Sequence, residues 1–472
     1  MTQAPSSRAA PRYPTTFRVW QRRTKTGCLT CRSRKKKCDE TKPQCSACRR
    51  NGLGCSWLQD KQTAALQLQP RSETFAHPNH NNRLLGSKAC SLTNVSLLLL
   101  QHYTFETAVI LPAGKPSINP FISFVLPPAE ADDVIMHSVL AVSGAHLSFR
   151  LQDATDVEMA TLNHYILAIR GVQEVIGAGQ VIDKSDVLRL LLAISFLSQY
   201  EILMSTPNPN LYLHLKANRH LFLHLLGLGY RPPLDLQEFD MMLSFAYEGF
   251  IFLASCNTTP SIGDDELLCE SITDHLRPLT NSPCFGSMLA GSHSLFEMIP
   301  LIQRLCSSRL TFESLGLENL PPELWVTYEM LRDTIQSWTI AEASSERIMA
   351  SDVMRTALAI FLDCAITRYE QLDHGSIETS AKFVIDTAVQ LENSSYATHI
   401  VWALTVAGSS LTDKFYHRKL VEFLSRSRYK MRHLEVLQQS LYLFWAEMNP
   451  AIFGPFEFQV LMENHGTSLS IM

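Results

Sequence analysis

Six cysteines place the tightest constraint on this chain. They stand at Cys28, Cys31, Cys38, Cys45, Cys48 and Cys55, half of the 12 cysteines in 472 residues. Their arrangement is an internal repeat, because CLTCRSRKKKC and CSACRRNGLGC share the pattern C-x2-C-R-x5-C. A C-x-x-C pair lets two sulfurs of one tight turn grip the same metal. A third cysteine seven residues on, after a short helix, can swing back to that metal. Each half then offers three thiolates, one short of a tetrahedral zinc site. Two zincs need eight ligand positions, and six sulfurs supply them only if two of the sulfurs bridge. Sharing one sulfur from each half meets the count and locks the halves together.

Other arrangements of the same thiols have to be weighed. A single four-cysteine zinc site from Cys28, Cys31, Cys45 and Cys48 would leave Cys38 and Cys55 without a role. A metal buffer would not need the basic run Arg32, Arg34, Lys35, Lys36 and Lys37 inside the cluster. A disulfide knot calls for an oxidising compartment. The N-terminal segment MTQAPSSRAAPRYPTTFRVW lacks the apolar run of a secretory signal. The longest candidate membrane stretch, Met241 to Cys256, is short and contains Glu248. An intracellular protein with no membrane partner is therefore expected, and there clustered cysteines read as metal ligands first.

Charge is distributed unevenly. Residues 1–60 hold 14 Lys and Arg against three Asp and Glu, a net of +11, which leaves −15 on the rest. A basic head on an acidic body implies a polyanionic partner for the head. Two zincs and six thiolates together carry −2, so the basic residues leave a large positive excess. The halves also differ. RSRKKK can form a basic helix, whereas RRNGLG contains Asn51, Gly52 and Gly54, which shorten one.

The stretch resembles the fungal-type binuclear zinc cluster of the yeast galactose-regulator class of transcription factors. The match includes the Arg after the second cysteine, the basic helix, Asp39 after the third cysteine and Pro43 in the connecting loop. The resemblance implies two structural zinc ions, with Cys28 and Cys45 bridging. Cys31 and Cys38 would complete one zinc, and Cys48 and Cys55 the other. It also implies that the helix enters the major groove of double-stranded DNA. Arg34 and Lys35 align with the residues that reach base edges, Lys35 foremost, and a CGG-like triplet is the implied half-site. Arg32, Lys36, Lys37, Arg49 and Arg50 would meet phosphates or solvent. RSRKKK can equally serve as a nuclear-import signal, and a nuclear location is expected on either reading.

After Trp57 the chain is rich in Gln, Asn, His, Ser and Pro, with little periodicity, and reads as a linker. Many relatives carry a coiled coil there. Here Leu58, Leu66 and Leu68 do not sustain a heptad and Pro70 ends the run, so any pairing falls to the body. From about Ser91 onward, apolar residues recur at helical spacing, as in DVLRLLLAISFLSQYEIL and RHLEVLQQSLYLFWAEM. Pro321 and Pro322 open one helix, and Gly227, Gly229, Pro232 and Pro233 close another. An all-α body of roughly a dozen helices in one or two subdomains is expected. LLLLQHYTFETA, DDVIMHSVLAVSGAHLSFR and HYILAIRGVQEVI occur in the order seen in the fungal-specific regulatory domain, which this body resembles. The expected organisation is a disordered basic N-terminus over 1–22, the zinc cluster over 23–58, a flexible linker over 59–91 and the all-α regulatory domain over 92–472.

The body offers little chemistry of its own. His220 and His224 have metal-ligand spacing but no third ligand, and read as partly buried structural histidines. Cys256, Cys269, Cys284, Cys306 and Cys364 read as buried free thiols. Asp264 and Glu266 suggest a helix start. Nothing forms a phosphate loop, a nucleophile elbow or a kinase motif, so no enzyme is expected. The tail around Phe444, Trp445, Phe453, Phe456 and Phe458 mixes aromatic and acidic residues. It reads as a last helix with a docked extension rather than an activation segment. The function expected is that of a zinc-dependent, sequence-specific regulator of RNA polymerase II transcription. Candidate partners besides DNA are a second copy through the body, the transcription machinery and a small-molecule effector.

Overall fold

The computed structural model of the chain describes residues 28–55 apart from 29, 32–33, 35, 43 and 52–54. It also describes residues 92–465 apart from 115, 117, 152–153, 178–181, 206–209, 258–266, 317–319, 341–342 and 450–451. The expected N-terminal segment, the linker and the helix start at Asp264 and Glu266 lie outside the described residues. The chain divides into two units, Met1–Arg83 and Leu84–Met472. In the small unit the principal element is α1, Ser46–Arg50.

The large unit is helical, and no strand occurs among its described residues. It begins with α2, Asn94–His102, whose last turn runs into a π-helical turn, Tyr103–Thr107. Then come α3, Asp133–Arg150; α4, Thr155–Gly177; α5, Lys184–Met204; α6, Asn210–Gly227; and α7, Glu238–Cys256. The second half holds α8, His293–Ser314; α9, Pro322–Ser337; α10, Ser345–Ile366; α11, His374–Gln390; and α12, Val401–Ser409. It closes with α13, Lys414–Arg426; α14, Arg432–Glu447; and α15, Gly454–Asn464. The expected helix boundaries hold: α9 starts at Pro322 and α6 ends at Gly227.

One continuous apolar core runs through this unit. In its first half α3 packs against α2, α4 and α5, and in its second half α10 packs against α8, α11 and α12. Helix α7 touches both α5 and α8, and α14 touches both α5 and α12, so the halves share one interior. The pair α3–α4 approaches closely because two small residues face larger neighbours. A side chain at Gly144 would run into Thr161, and one at Gly171 would run into Val134. The tail aromatics are core residues: Phe444, Phe456 and Phe458 are buried, and Phe361 stacks on Phe456 at 4.5 Å.

Helices α5 and α7 are long and apolar enough to cross a membrane by length and composition, yet both are largely buried in the core. The carboxylate of Glu248, in the middle of α7, shows why a charge sits there. It accepts the backbone N–H groups of Met288 and Leu289, each at 2.8 Å, and the Ser287 hydroxyl at 3.2 Å. It thus holds the irregular segment before α8 against α7. Burial pushes its pKa up to about 7, against those three hydrogen bonds, which lower it.

The sign of the consequence follows. Between its ordinary value of 4.5 and about 7 the folded protein binds a proton at Glu248 that the unfolded chain does not. The site therefore contributes less stability as pH rises through that window. In urea unfolding followed by circular dichroism, Glu248→Gln should lose this part of the pH dependence between pH 5 and 8. A variant whose pH profile overlays the parent would refute the assignment.

Candidate metal centre and nucleic-acid interface

The repeat in the sequence is a repeat in the structure. The Cys31 N–H donates to Cys28 Sγ at 3.4 Å, and 17 residues later the Cys48 N–H donates to Cys45 Sγ at the same distance. The Cys28 N–H donates to Cys38 Sγ at 3.4 Å, and the Cys45 N–H to Cys55 Sγ at 3.3 Å. Each half folds its C-x-x-C turn around its own first sulfur and draws its third cysteine back. The second turn opens α1, whose N-cap is Cys45 itself.

The two halves meet through their sulfurs. Cys28 Sγ lies 3.7 Å from the Sγ atoms of both Cys45 and Cys48. Cys31 Sγ lies 3.5 Å from that of Cys45 and 3.8 Å from that of Cys48. A disulfide would place sulfurs at about 2.05 Å. A zinc tetrahedron with Zn–S bonds of about 2.3 Å has S···S edges of about 3.8 Å. All six cysteines are free thiols, and the observed spacings match the edges of a metal site. Five of the six are buried and Cys55 is half-buried.

Proximity by itself gathers Cys28, Cys31, Cys45 and Cys48, the set of the single-site reading. The other two thiols are not spectators. Cys38 and Asp39 form a second close group with Cys45, and the Cys55 thiol interacts with those of Cys28 and Cys48. The two close groups share Cys45. Burial pushes Cys48 up to about 12. Burial also acts to raise Cys45, but hydrogen bonds from the Cys48 N–H and the surrounding thiols bring it down to about 6.

Asp39 ties the halves together from outside the sulfur cluster. Its carboxylate accepts the Ser46 N–H at 3.0 Å, the Ser46 hydroxyl at 2.5 Å and the Thr41 hydroxyl at 2.8 Å. Those hydroxyl bonds, Ser46 first, hold its pKa below the ordinary carboxylate value. The acid after the third cysteine therefore caps the helix that follows the fourth.

Arg34, Lys36, Lys37, Arg49 and Arg50 are all exposed around this core. Arg32 and Lys35 lie outside the described residues. In the body, no second metal group is found among the described residues. His220 and His224 prove to be exposed rather than partly buried, because both project from the outer face of α6. Each is held by a separate carbonyl, His220 by Lys216 at 2.7 Å and His224 by Ile182 at 3.2 Å. Cys256, Cys306 and Cys364 are buried thiols as expected, and Cys269 and Cys284 are half-buried. Two histidine pairs went unseen in the sequence, His102 with His146 at 3.1 Å and His137 with His164 at 3.0 Å. Helix packing brings them together from positions 44 and 27 residues apart, so no local pattern announces them.

A family model for the fungal specific transcription factor domain matches residues 98–450, three-quarters of the chain. The chain belongs to the fungal-specific transcription factor family. A second model, for the fungal Zn(2)-Cys(6) binuclear cluster domain, matches residues 26–65, and such a domain binds two zinc ions. Both are transcription-factor domains. Among curated relatives, the Zn(2)-C6 fungal-type transcription factor afumD of Aspergillus fumigatus is 29% identical over 139 residues, 28% of this chain and 34% of its own. The transcriptional activator protein UGA3 of Saccharomyces cerevisiae is 29% identical over 158 residues, 26% of this chain and 30% of its own. White-opaque regulator 2 of Candida albicans is 41% identical over 66 residues, 14% of this chain and 15% of its own. The match thus spans about a third of the length of these relatives or less. No solved structure matches.

Removing the Asp39 carboxylate should loosen the metal centre without touching a sulfur. Asp39→Ala is expected to release zinc to a chromogenic chelator several-fold faster than the parent protein. An unchanged release rate would show that the Ser46 and Thr41 bonds do not hold the cluster.

Proposed function

We propose that the protein is a sequence-specific, DNA-binding regulator of RNA polymerase II transcription, acting in the nucleus. The observation that carries this reading is the pairing of a six-thiol centre with exposed cations around it. In the proposed assignment Cys28 and Cys45 bridge the two zincs, Cys31 and Cys38 complete one, and Cys48 and Cys55 the other. The S···S spacing of Cys28 and Cys45 supports the bridge. The metal centre supplies the folding energy that a unit of this size lacks in apolar burial. It leaves the basic segment after Cys31 free to enter the major groove.

In this reading Lys35, with Arg34, reads the guanines of a CGG-like triplet through N7 and O6. Arg32, Lys36, Lys37, Arg49 and Arg50 hold the phosphates. The regulatory unit spans residues 92–472 and the cluster unit 23–58, with 59–91 as the tether. The body is the proposed seat of self-association, of contact with the transcription machinery and of effector binding. Exposed Met159, Leu162 and Ile166, which share one face of α4, support the first of these.

Selection of random duplex DNA by the full-length, zinc-loaded protein tests the reading. Paired CGG-like triplets at fixed spacing would support a body-mediated dimer, and a lone triplet a monomeric reader. No enrichment would refute sequence-specific DNA reading. With the selected site in hand, Lys35→Ala should weaken it by about 1–3 kcal/mol relative to random DNA, at unchanged zinc content. Equal loss on both DNAs would remove Lys35 from base contact. Neutralising about five phosphates predicts a log K against log salt slope of about −4 to −5. Cys28→Ala should abolish the fold of the head, so a folded, DNA-binding variant would overturn the bridging assignment.

A further inference from the structure

The tail of the body builds a groove that DNA reading does not use. It has a volume of about 760 Å³ and lies where α13, α14 and the approach to α15 meet. Its floor includes a face-to-face stacked pair of rings, His417 of α13 on Trp445 of α14, with centroids 3.9 Å apart and planes at 5°. Both rings are pinned from behind. His417 Nε2–H donates to the Leu411 carbonyl at 2.8 Å, and Trp445 Nε1–H donates to the Gly408 carbonyl at 2.8 Å. Tyr442 stands edge-on to Trp445 on one side, and Tyr369 and Phe453 form an edge-to-face pair on the other. The stacked pair is therefore in place before any ligand arrives.

The charge on its rim is unusual for this body. Lys414 and Arg418, four residues apart on α13, both line the groove. The nearest cation on the same helix, Lys419, is paired with Asp386, and Arg426 is paired with Glu422. Lys414 and Arg418 make no ion pair among the described residues. Lys414 is also the first residue of α13, where the helix dipole disfavours a cation, and Arg418 Nε donates to the Lys414 carbonyl at 3.4 Å. The N-cap, Asp413, is engaged by Lys382 at 3.1 Å and by the Phe415 N–H at 2.9 Å. Residues beyond 60 carry a net charge of −15, so two uncompensated cations beside a rigid aromatic floor stand out.

We propose that this groove binds a small planar anion, an aromatic or heteroaromatic ring bearing a carboxylate or phosphate. The ring continues the stack on an outer face of the His417–Trp445 pair and the anionic group is held by Lys414 and Arg418. The volume lies within the range of small-molecule sites, about 300–1,000 Å³. The inference names a ligand class for the effector role proposed above. Binding is measured without DNA, so failure of the DNA reading and failure of the groove are separate results.

Calorimetric titration of the full-length, zinc-loaded protein with 2-naphthoate tests it. At about 0.3 kcal/mol per non-hydrogen atom, a probe of about 13 such atoms should bind with a Kd near 1 mM or tighter. The neutral 2-naphthamide and the non-planar cyclohexanecarboxylate should each bind at least about tenfold more weakly. Lys414→Ala with Arg418→Ala should weaken naphthoate by about tenfold with an unchanged circular dichroism spectrum, while Arg426→Ala should not. Equal affinity for acid and amide, or full binding by the double variant, would overturn the proposal. Binding of acetyl-Asp-Phe-Asp-amide without binding of naphthoate would also overturn it, in favour of an acidic protein partner.

Discussion

Clustered thiols do for the small unit what a hydrophobic core does for a larger one. Around residues 28–55 the buried side chains are the cysteines themselves, with Ala47 packed against them. Among the described residues, four inter-half sulfur contacts of 3.5–3.8 Å join the two turns. The thiols must be deprotonated together to bind zinc, so metal uptake and folding are one event. The exposed cations then have a rigid frame, and their mutual repulsion is offset in part by the negative charge of the zinc–thiolate core. Asp39 extends the same logic into hydrogen bonds by holding Ser46 at the start of α1.

The large unit depends on a different constraint, the burial of nearly every helix against a neighbour. That burial forces its polar groups into specific arrangements. Glu248 is fully buried because the segment before α8 offers it two backbone N–H groups and a hydroxyl. His399 belongs to the same construction, since its Nδ1–H donates to the Met288 carbonyl at 3.1 Å. Met288 is thus gripped through its N–H by α7 and through its carbonyl by His399. A segment without regular structure becomes a fixed part of the core.

Much of this was legible in the residues. The cysteine register announced a two-zinc repeat because ligand spacing in a tight turn is a local property. The helices of the body were legible from apolar periodicity, and their ends from Pro321, Pro322 and Gly227, because backbone capacity is also local. The tail was rightly read as a last helix with a docked extension, since its aromatics follow directly on the periodic α14. What misled was surface placement. His220 and His224 point to solvent because the apolar face of α6 lies elsewhere, and spacing alone does not reveal which face is buried. The single-site thiol set and the two-site set share four cysteines, so the sequence could favour two metals only by counting leftover donors. The structure adds that Cys38 and Cys55 are drawn inward by the Cys28 and Cys45 N–H groups.

By itself, the sequence determined what is written in short-range chemistry. That comprises the cysteine repeat of the head, the concentration of positive charge around it, and the helical character of the body. Tertiary structure alone decided what depends on residues far apart in the chain. It paired Glu248 with residues 287–289, His146 with His102, and His417 with Trp445 beside two unpaired cations. Periodicity specifies that a helix has an apolar face, but the partner of that face is chosen by packing the whole core at once.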